Sequence, residues 1–296
     1  TLGFTHLFMG DLIAGRENLE QAISFYDAAT NQISRSLLGL DPGIYSLAQV
    51  VRALWLLGYP DQARQQLQQA LAVSREMGDP RSLAFAQHIA IVFHSYVREL
   101  EPARGWMETC LAHCREHDIA QEHAWATVFG GGVVAALGDT ERGIALLREA
   151  IALFRVVGSE IAFTEFYAIL ARCLGQAGKT EEALATLAEA MQLSSRMSEE
   201  YFNAEIQRLK GELLLQANAP TAEAEACFLQ AIEVAQHQSA KSWELRATMS
   251  LEAWYVLSAL LSPIGYVTQD VVADAMPVEA VPHVDDDGQP IDDARR

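Results

Sequence analysis

The chain has 296 residues, half of them hydrophobic, which is enough for one extended repeat domain or for two compact domains. Its formal net charge of −18 argues against nucleic-acid binding, which would need a concentrated basic surface that the sequence does not show. The longest uncharged stretch, 124–138, is too short to span a membrane and contains three consecutive glycines, so we expect no membrane partner.

Pairs of small residues seven positions apart recur along the chain at intervals of 40 or 41 residues. These pairs are Ala22/Ala29, Ala63/Ala70, Ala103/Cys110, Gly143/Ala150, Ala183/Ala190 and Ala224/Ala231. Twelve positions before each pair lies another small or medium apolar residue: Gly10, Val51, Ile91, Gly131, Ala171 and Gly211. A period kept through six units predicts one supersecondary block that has been copied and stacked.

Each unit is predicted to be two helices joined by a turn. Apolar residues follow helical spacing on both sides of a turn that contains Gly58, Gly138 or Gly178. Two small residues seven positions apart lie on one face of the second helix, where a neighbouring helix can approach closely. One such pair cannot cover its own apolar stripe, so the units are expected to stack into an all-α solenoid.

The spacing of small residue, alanine, bulky apolar residue and alanine resembles the tetratricopeptide repeat (TPR), although that family has a period of about 34 residues. The resemblance covers about residues 2–260. It implies a right-handed α-solenoid of about six to seven TPR-like helix-turn-helix repeats. We therefore expect a repeat domain over 1–262.

Five stretches resemble more closely the C-terminal repeat arm of large bacterial signalling proteins. They are 41–48, 53–63, 204–215, 224–232 and 241–247. Those proteins begin with an adenylate/guanylate cyclase or another output domain and continue with a predicted ATPase module. Neither domain is found in this sequence, and the chain opens on Thr1, so we expect a fragment or processed piece that is itself not an enzyme.

The TPR resemblance also implies a ligand-binding groove, because in that family the first helices of the units line the concave face. Aromatic side chains beside arginines suit the anchoring of a peptide or partner helix, so we expect a protein or peptide segment or a small effector as partner, and no cofactor. The alternative for Tyr45 and Trp125 is simple packing between units. The predicted groove residues are Tyr45, Arg52, Trp55, His88, Tyr96, Trp125, Glu165, Arg172, Glu205 and Arg208.

A metal-binding or enzymatic protein is the first alternative. Cys110, His113, Cys114 and His117 fall at helical spacing, and His88, His94 or His123 could supply further zinc ligands. One helix cannot wrap four ligands around one ion, however, and His113 aligns with apolar residues of other units. The pattern therefore favours a polar third unit without a metal. A purely structural spacer is the second alternative.

Two other signals are weaker. Gly178-Lys179-Thr180 resembles the end of a phosphate-binding loop, but Cys173 stands where that loop needs a glycine, and the segment aligns with the turns of other units. The four cysteines stand within helical patterns, which indicates a reducing, cytoplasmic compartment.

The C-terminal segment 263–296 has the composition of a disordered tail, with four prolines and eight acidic residues from position 270 onward. The helix over 243–261 would then show one exposed apolar face. We expect residues 264–273 to cover this face loosely and the chain to be disordered beyond about 275.

Overall fold

The computed structural model describes residues 2–26, 40–156 and 158–256, and these ranges contain helices and no strands. The helices are α1 (Leu2–Phe8), α2 (Leu12–Ser24), α3 (Pro42–Leu56), α4 (Pro60–Met77), α5 (Pro80–Tyr96), α6 (Leu100–Glu116), α7 (Ala120–Ala136), α8 (Thr140–Val156), α9 (Phe163–Gln176), α10 (Thr180–Met197), α11 (Asn203–Gln216) and α12 (Thr221–His237). Helix α13 begins at 241 and is described as far as 256.

The first compact unit runs from Thr1 to Leu251, and its helices pair as consecutive hairpins. The odd-numbered helices from α3 to α11 contact one another in order and form an inner layer. All of α3 except Pro42 and Tyr45 is buried, whereas α4 buries a single stripe. The predicted all-α solenoid of TPR-like repeats is confirmed. A second unit begins at Glu252, and its described residues, 252–256, are helical.

Aspartates fix the starts of two inner helices. The Asp41 carboxylate accepts hydrogen bonds from the backbone N–H groups of Gly43 and Ile44, at 2.9 and 3.1 Å. The Asp79 carboxylate likewise accepts from the N–H of Ser82 at 2.9 Å. A proline follows each aspartate, where its missing N–H costs nothing and its fixed φ favours the helix.

The small residues of the repeat lie at close helix contacts, as predicted. A Cβ atom on Gly143 would lie 2.5 Å from the carbonyl oxygen of Gly131, so α7 and α8 touch through their backbones. Ala63 and Ala183 are fully buried at the corresponding positions of other units, and Ala70 is fully buried at the second small position of its unit. The missing side-chain bulk is therefore what sets the distance between paired helices.

The first helix-turn-helix repeat has a different register from the one that the repeat pattern predicted. Gly10 lies in the turn between α1 and α2 with φ +85°, and Ala22 is exposed. The close contact is made instead by Gly3 and Gly15: a Cβ on Gly3 would lie 2.9 Å from the Gly15 carbonyl oxygen. The first repeat unit is therefore shifted relative to the period, and residues 27–39, between α2 and α3, lie outside the described part of the chain.

Enlarging a close-contact alanine should loosen the stack. We expect Ala70→Leu to lower the free energy of unfolding by about 1–3 kcal/mol, because added methylenes force the paired helices apart. Gln69→Leu, at an exposed position of the same helix, is the matched control and should change stability by less than about 0.5 kcal/mol. Thermal and urea melts followed by circular dichroism measure both. Equal stability of Ala70→Leu and the parent would contradict close packing at this position.

On the described part of α13, Trp243 is buried while Leu245 and Met249 are 62% and 59% exposed. An apolar face on this helix was expected. The cover expected from 264–273 and the disorder expected beyond 275 both lie outside the described residues. No described helix combines the length and apolar character that crossing a membrane requires.

Candidate functional site

A buried polar network crosses the inner layer. Nη1 of Arg52, on α3, lies 2.5 Å from Oε2 of Glu165, on α9. The hydroxyl groups of Tyr96 and Tyr201 donate to the two oxygens of the same carboxylate, at 2.5 and 2.6 Å. Exposure of these four residues is at most 8%. The network therefore ties α3, α5 and α9 to the turn that precedes α11.

The network holds one ionised pair between two neutral phenols. Burial alone would lower the pKa of Arg52, but the adjacent Glu165 carboxylate raises it far above its ordinary value. Burial, and next the same carboxylate, raise the pKa of Tyr96 and Tyr201 well above 10. The Nε of Arg52 has no hydrogen-bond partner among the described residues. Such a pair depends on both partners, because either charge alone would be buried without compensation.

A second charged group lies nearby on α11. The guanidinium of Arg208 donates to both oxygens of Glu205, at 2.7 and 2.9 Å, and Nη1 of Arg246 lies 3.5 Å from Glu205 Oε1. Burial alone would raise the pKa of Glu205, but Arg208, followed by Arg246 and Arg172, lowers it to about 2. Glu205 is therefore a fixed anion surrounded by arginines.

Aromatic residues predicted for the groove pack between neighbouring units. Trp125 stacks on His88 with ring centroids 5.6 Å apart and meets Phe154 and Phe166 edge-on. The His88 ring in turn lies 2.7 Å from the Glu122 carboxylate, and both residues are buried. Tyr45 stacks on Phe85 at 5.3 Å. Tyr45 and Trp125 thus make the inter-unit contacts that were the alternative to ligand binding.

All ten predicted groove residues lie on the inner layer, as the repeat pattern indicated. Arg172, Tyr45 and Trp125 are half-buried. The other seven are buried: Arg52, Trp55, His88, Tyr96, Glu165, Glu205 and Arg208. Contact of any of them with a partner stays a prediction.

Helix α13 contacts α3, and the end of α1 contacts the turn before α11. The hydroxyl of Ser242, on α13, donates to the carbonyl of Trp55 at 2.5 Å. The backbone N–H of Glu200 donates to the Phe8 carbonyl at 2.7 Å, and the Trp55 and Trp243 rings meet edge-on at 4.8 Å. The inner layer is therefore filled by contacts between helices far apart in sequence.

One opening on this layer is a cleft of about 330 Å³ whose lining includes Arg98, Arg172 and Arg208. Arg98 was not predicted as a site residue. It lies in the turn between α5 and α6 with φ +63°, where Gly58 and Gly138 stand in other units. An arginine in a position that favours glycine is a signal that the sequence already contained. Arg246 was also missed, because it lies beyond the last complete repeat pair.

The cysteine and histidine side chains of α6 make separate contacts. Within 2–26, 40–156 and 158–256, no three histidine, cysteine or acidic side chains converge on one point. The Cys110 and Cys114 sulfur atoms are 3.9 Å apart and buried, while Nε2 of His113 lies 2.9 Å from the Pro80 carbonyl oxygen. Lys179, from the loop-like segment, lies in the α9–α10 turn and pairs with Glu141 at 2.7 Å.

No family model matches the chain. Among curated proteins, the chain is similar to an uncharacterized protein of Rhizobium meliloti (strain 1021), with 22% identity over 237 residues. The match covers 80% of this chain and 23% of that protein. The chain therefore spans less than a quarter of the length of the curated relative it matches.

Several solved structures share the fold. Bacillus thuringiensis PlcR, solved with the peptide PapR7 and DNA, matches with a TM-score of 0.60 and 14% identity over 80% of this chain and 82% of that one. A Rap protein complexed with Competence and Sporulation Factor matches with a TM-score of 0.60 and 15% identity, over 88% and 74% of the two chains. The Rap conjugation gene regulator of the plasmid pLS20, solved with the Phr* peptide, gives 0.59 and 10%, over 87% and 73%. These likenesses show that the chain has a tetratricopeptide-like helical repeat fold.

Proposed function

We propose that this chain is a non-catalytic binding arm of a longer protein. Its inner layer binds a protein or peptide segment, and the occupied state is passed to domains outside this chain. The much greater length of the Rhizobium relative supports a longer parent. Two proteins of the same fold were solved with bound peptides, which supports a peptide as ligand.

The observation that carries the proposal is the set of contacts that close the 1–251 unit. Ser242 and Trp55 are 187 residues apart, and Arg52 and Glu165 are 113 apart, yet both pairs bond directly. A solenoid bends through small changes at every repeat interface. A segment that enters the inner layer would have to exchange such contacts, so its binding would favour one curvature over another.

The parent is proposed to be a bacterial signalling protein of the adenylate cyclase and ATPase type. The resemblance of the five stretches described above supports this, and they include the cap of α3 at Asp41 and the α13 segment that reaches Trp55. In that setting the partners would be a peptide segment and the parent's own N-terminal domains, in the cytoplasm. We expect no nucleic-acid or membrane partner.

A peptide-display screen tests the proposal. The full chain, in phosphate-free buffer, is exposed to a random peptide library, and selected peptides are resynthesised for titration. We expect saturable binding that weakens on order of tenfold with Arg172→Ala, because an arginine at an interface core typically contributes more than 1 kcal/mol. Arg148→Ala, on the exposed face of α8, is the matched control.

The coupling of peptide binding to the curvature of the solenoid is tested with the same peptides through tryptophan fluorescence. Binding should change the emission of the Trp55–Trp243 pair where α3 and α13 meet, and Trp243→Phe should remove most of that change. No saturable peptide from the screen would instead favour a structural spacer. Binding without a change in emission would contradict the proposed coupling.

A further inference from the structure

The arginine-lined cleft differs in charge from the rest of this acidic chain. Arg98, Arg172 and Arg208 come from the α5–α6 turn, α9 and α11, so three of the repeat units place a guanidinium at one opening. Arg246 of α13 lies beside Arg98 and Arg172 in the adjoining cavity. The four arginines converge although the chain as a whole carries a net charge of −18.

The described carboxylates neutralise only part of this cluster. Glu205 binds Arg208 and Arg246, and Glu212 binds Arg208 through Nη1. No carboxylate of a described residue lies within 4.0 Å of the guanidinium groups of Arg98 or Arg172. Four guanidinium groups therefore face two carboxylates, which leaves an excess of two positive charges at the cleft.

The crowding of like charges helps to lower the pKa of two of the arginines. Burial, and next the Arg172 guanidinium, lower the pKa of Arg98. Burial lowers the pKa of Arg246 to about 10, and Arg98, Arg208 and Arg172 contribute in the same direction against Glu205. Guanidinium groups in this arrangement repel one another, and an anion seated between them would relieve that repulsion.

We propose that this cleft binds the phosphate group of a small phosphorylated molecule. An excess of two positive charges matches a phosphate dianion, whereas a single carboxylate would leave one charge uncompensated. The planar donor fork of arginine suits phosphate oxygens, which it binds bidentately. A volume of about 330 Å³ is at the small end of ligand sites, so a phosphate with few further atoms fits better than a long segment. The inference goes beyond peptide binding and does not depend on it.

Titration calorimetry with glycerol 3-phosphate on the full chain tests the site. We expect saturable binding of one molecule per chain. The double variant Arg98→Gln/Arg172→Gln should weaken it by at least about a hundredfold, since it removes charge-assisted hydrogen bonds from two arginines. Arg148→Gln/Arg196→Gln makes the same charge change at exposed ion pairs and should leave the affinity unchanged. Circular dichroism melts check that all variants fold.

Two further measurements identify the bound species. A phosphate monoester becomes a dianion above a pKa of about 6, so the affinity should rise between pH 5.5 and pH 7.5. Sodium acetate at equal ionic strength should compete poorly. Equal loss of affinity in both double variants, no saturable binding, or acetate binding as tight as that of the phosphate ester would each overturn the proposal. If peptide selection succeeds while phosphate binding fails, the binding-arm proposal stands without this site.

Discussion

Replacing Arg52 with methionine should lower the free energy of unfolding by about 3–5 kcal/mol. The substitution keeps most of the side-chain bulk but leaves the Glu165 carboxylate fully buried with no cation within reach. Its remaining hydrogen-bond donors are the hydroxyl groups of Tyr96 and Tyr201, which cannot neutralise a full charge. Urea unfolding followed by far-ultraviolet circular dichroism measures the change.

The double variant Arg52→Met/Glu165→Leu distinguishes the loss of the ion pair from the cost of leaving one charge buried without a partner. We expect it to recover part of the loss, because replacing both members of a buried pair by apolar side chains is often close to neutral. Arg148→Met, which breaks the exposed pair with Glu182, is the matched control and should cost less than about 1 kcal/mol. If Arg52→Met costs no more than Arg148→Met, the buried network does not stabilise the unit.

The structure also distinguishes two arginines that the sequence analysis had assigned alike to the groove. Arg52 and Arg172 stand on first helices and were both expected to face the groove. Arg52 is 4% exposed and paired, whereas Arg172 is half-buried at the cleft with no described carboxylate within ion-pairing distance. Removal of Arg172 is therefore expected to affect binding more than folding.

The repeat units could be predicted because the information is local. A small residue such as Gly143 marks where paired helices touch, and its spacing from Gly131 is fixed by one hairpin. The first repeat unit departs from the period, because the pattern selected Gly10, which lies in a turn, whereas Gly3 and Gly15 make the close helix contact.

The filling of the inner layer could not be predicted in the same way. The sequence indicates which face of a first helix points inward, but the curvature of a solenoid is the sum of small rotations at every interface. Only that sum brings Ser242 to the Trp55 carbonyl and Glu165 to Arg52. The open groove suggested by the resemblance is therefore occupied in large part by the chain's own side chains.

The last prediction concerns Glu199, a buried carboxyl in the turn between α10 and α11. It is 5% exposed and accepts two hydrogen bonds, one from the Ala162 N–H at 3.0 Å and one from the Thr164 hydroxyl. Burial raises its pKa from 4.5 to about 7; nearby Glu165 adds to the rise, while the two hydrogen bonds and Arg52 oppose it. The folded protein thus keeps a proton that the unfolded chain releases near pH 4.5.

Between about pH 4.5 and pH 7 the folded state binds more protons at this site than the unfolded state, so stability falls as the pH rises through this window and is flat above it. At about 1.4 kcal/mol per pKa unit the loss of stability is on the order of 3 kcal/mol.

Glu199→Gln cannot ionise, and its amide can still accept from Ala162 and donate to Thr164. Urea unfolding should therefore show this variant to be more stable than the parent at pH 8 and nearly equal at pH 5. Glu200→Gln, at the exposed neighbouring position, should follow the parent at both values. If Glu199→Gln keeps the parent's pH dependence, the buried carboxyl does not hold its proton.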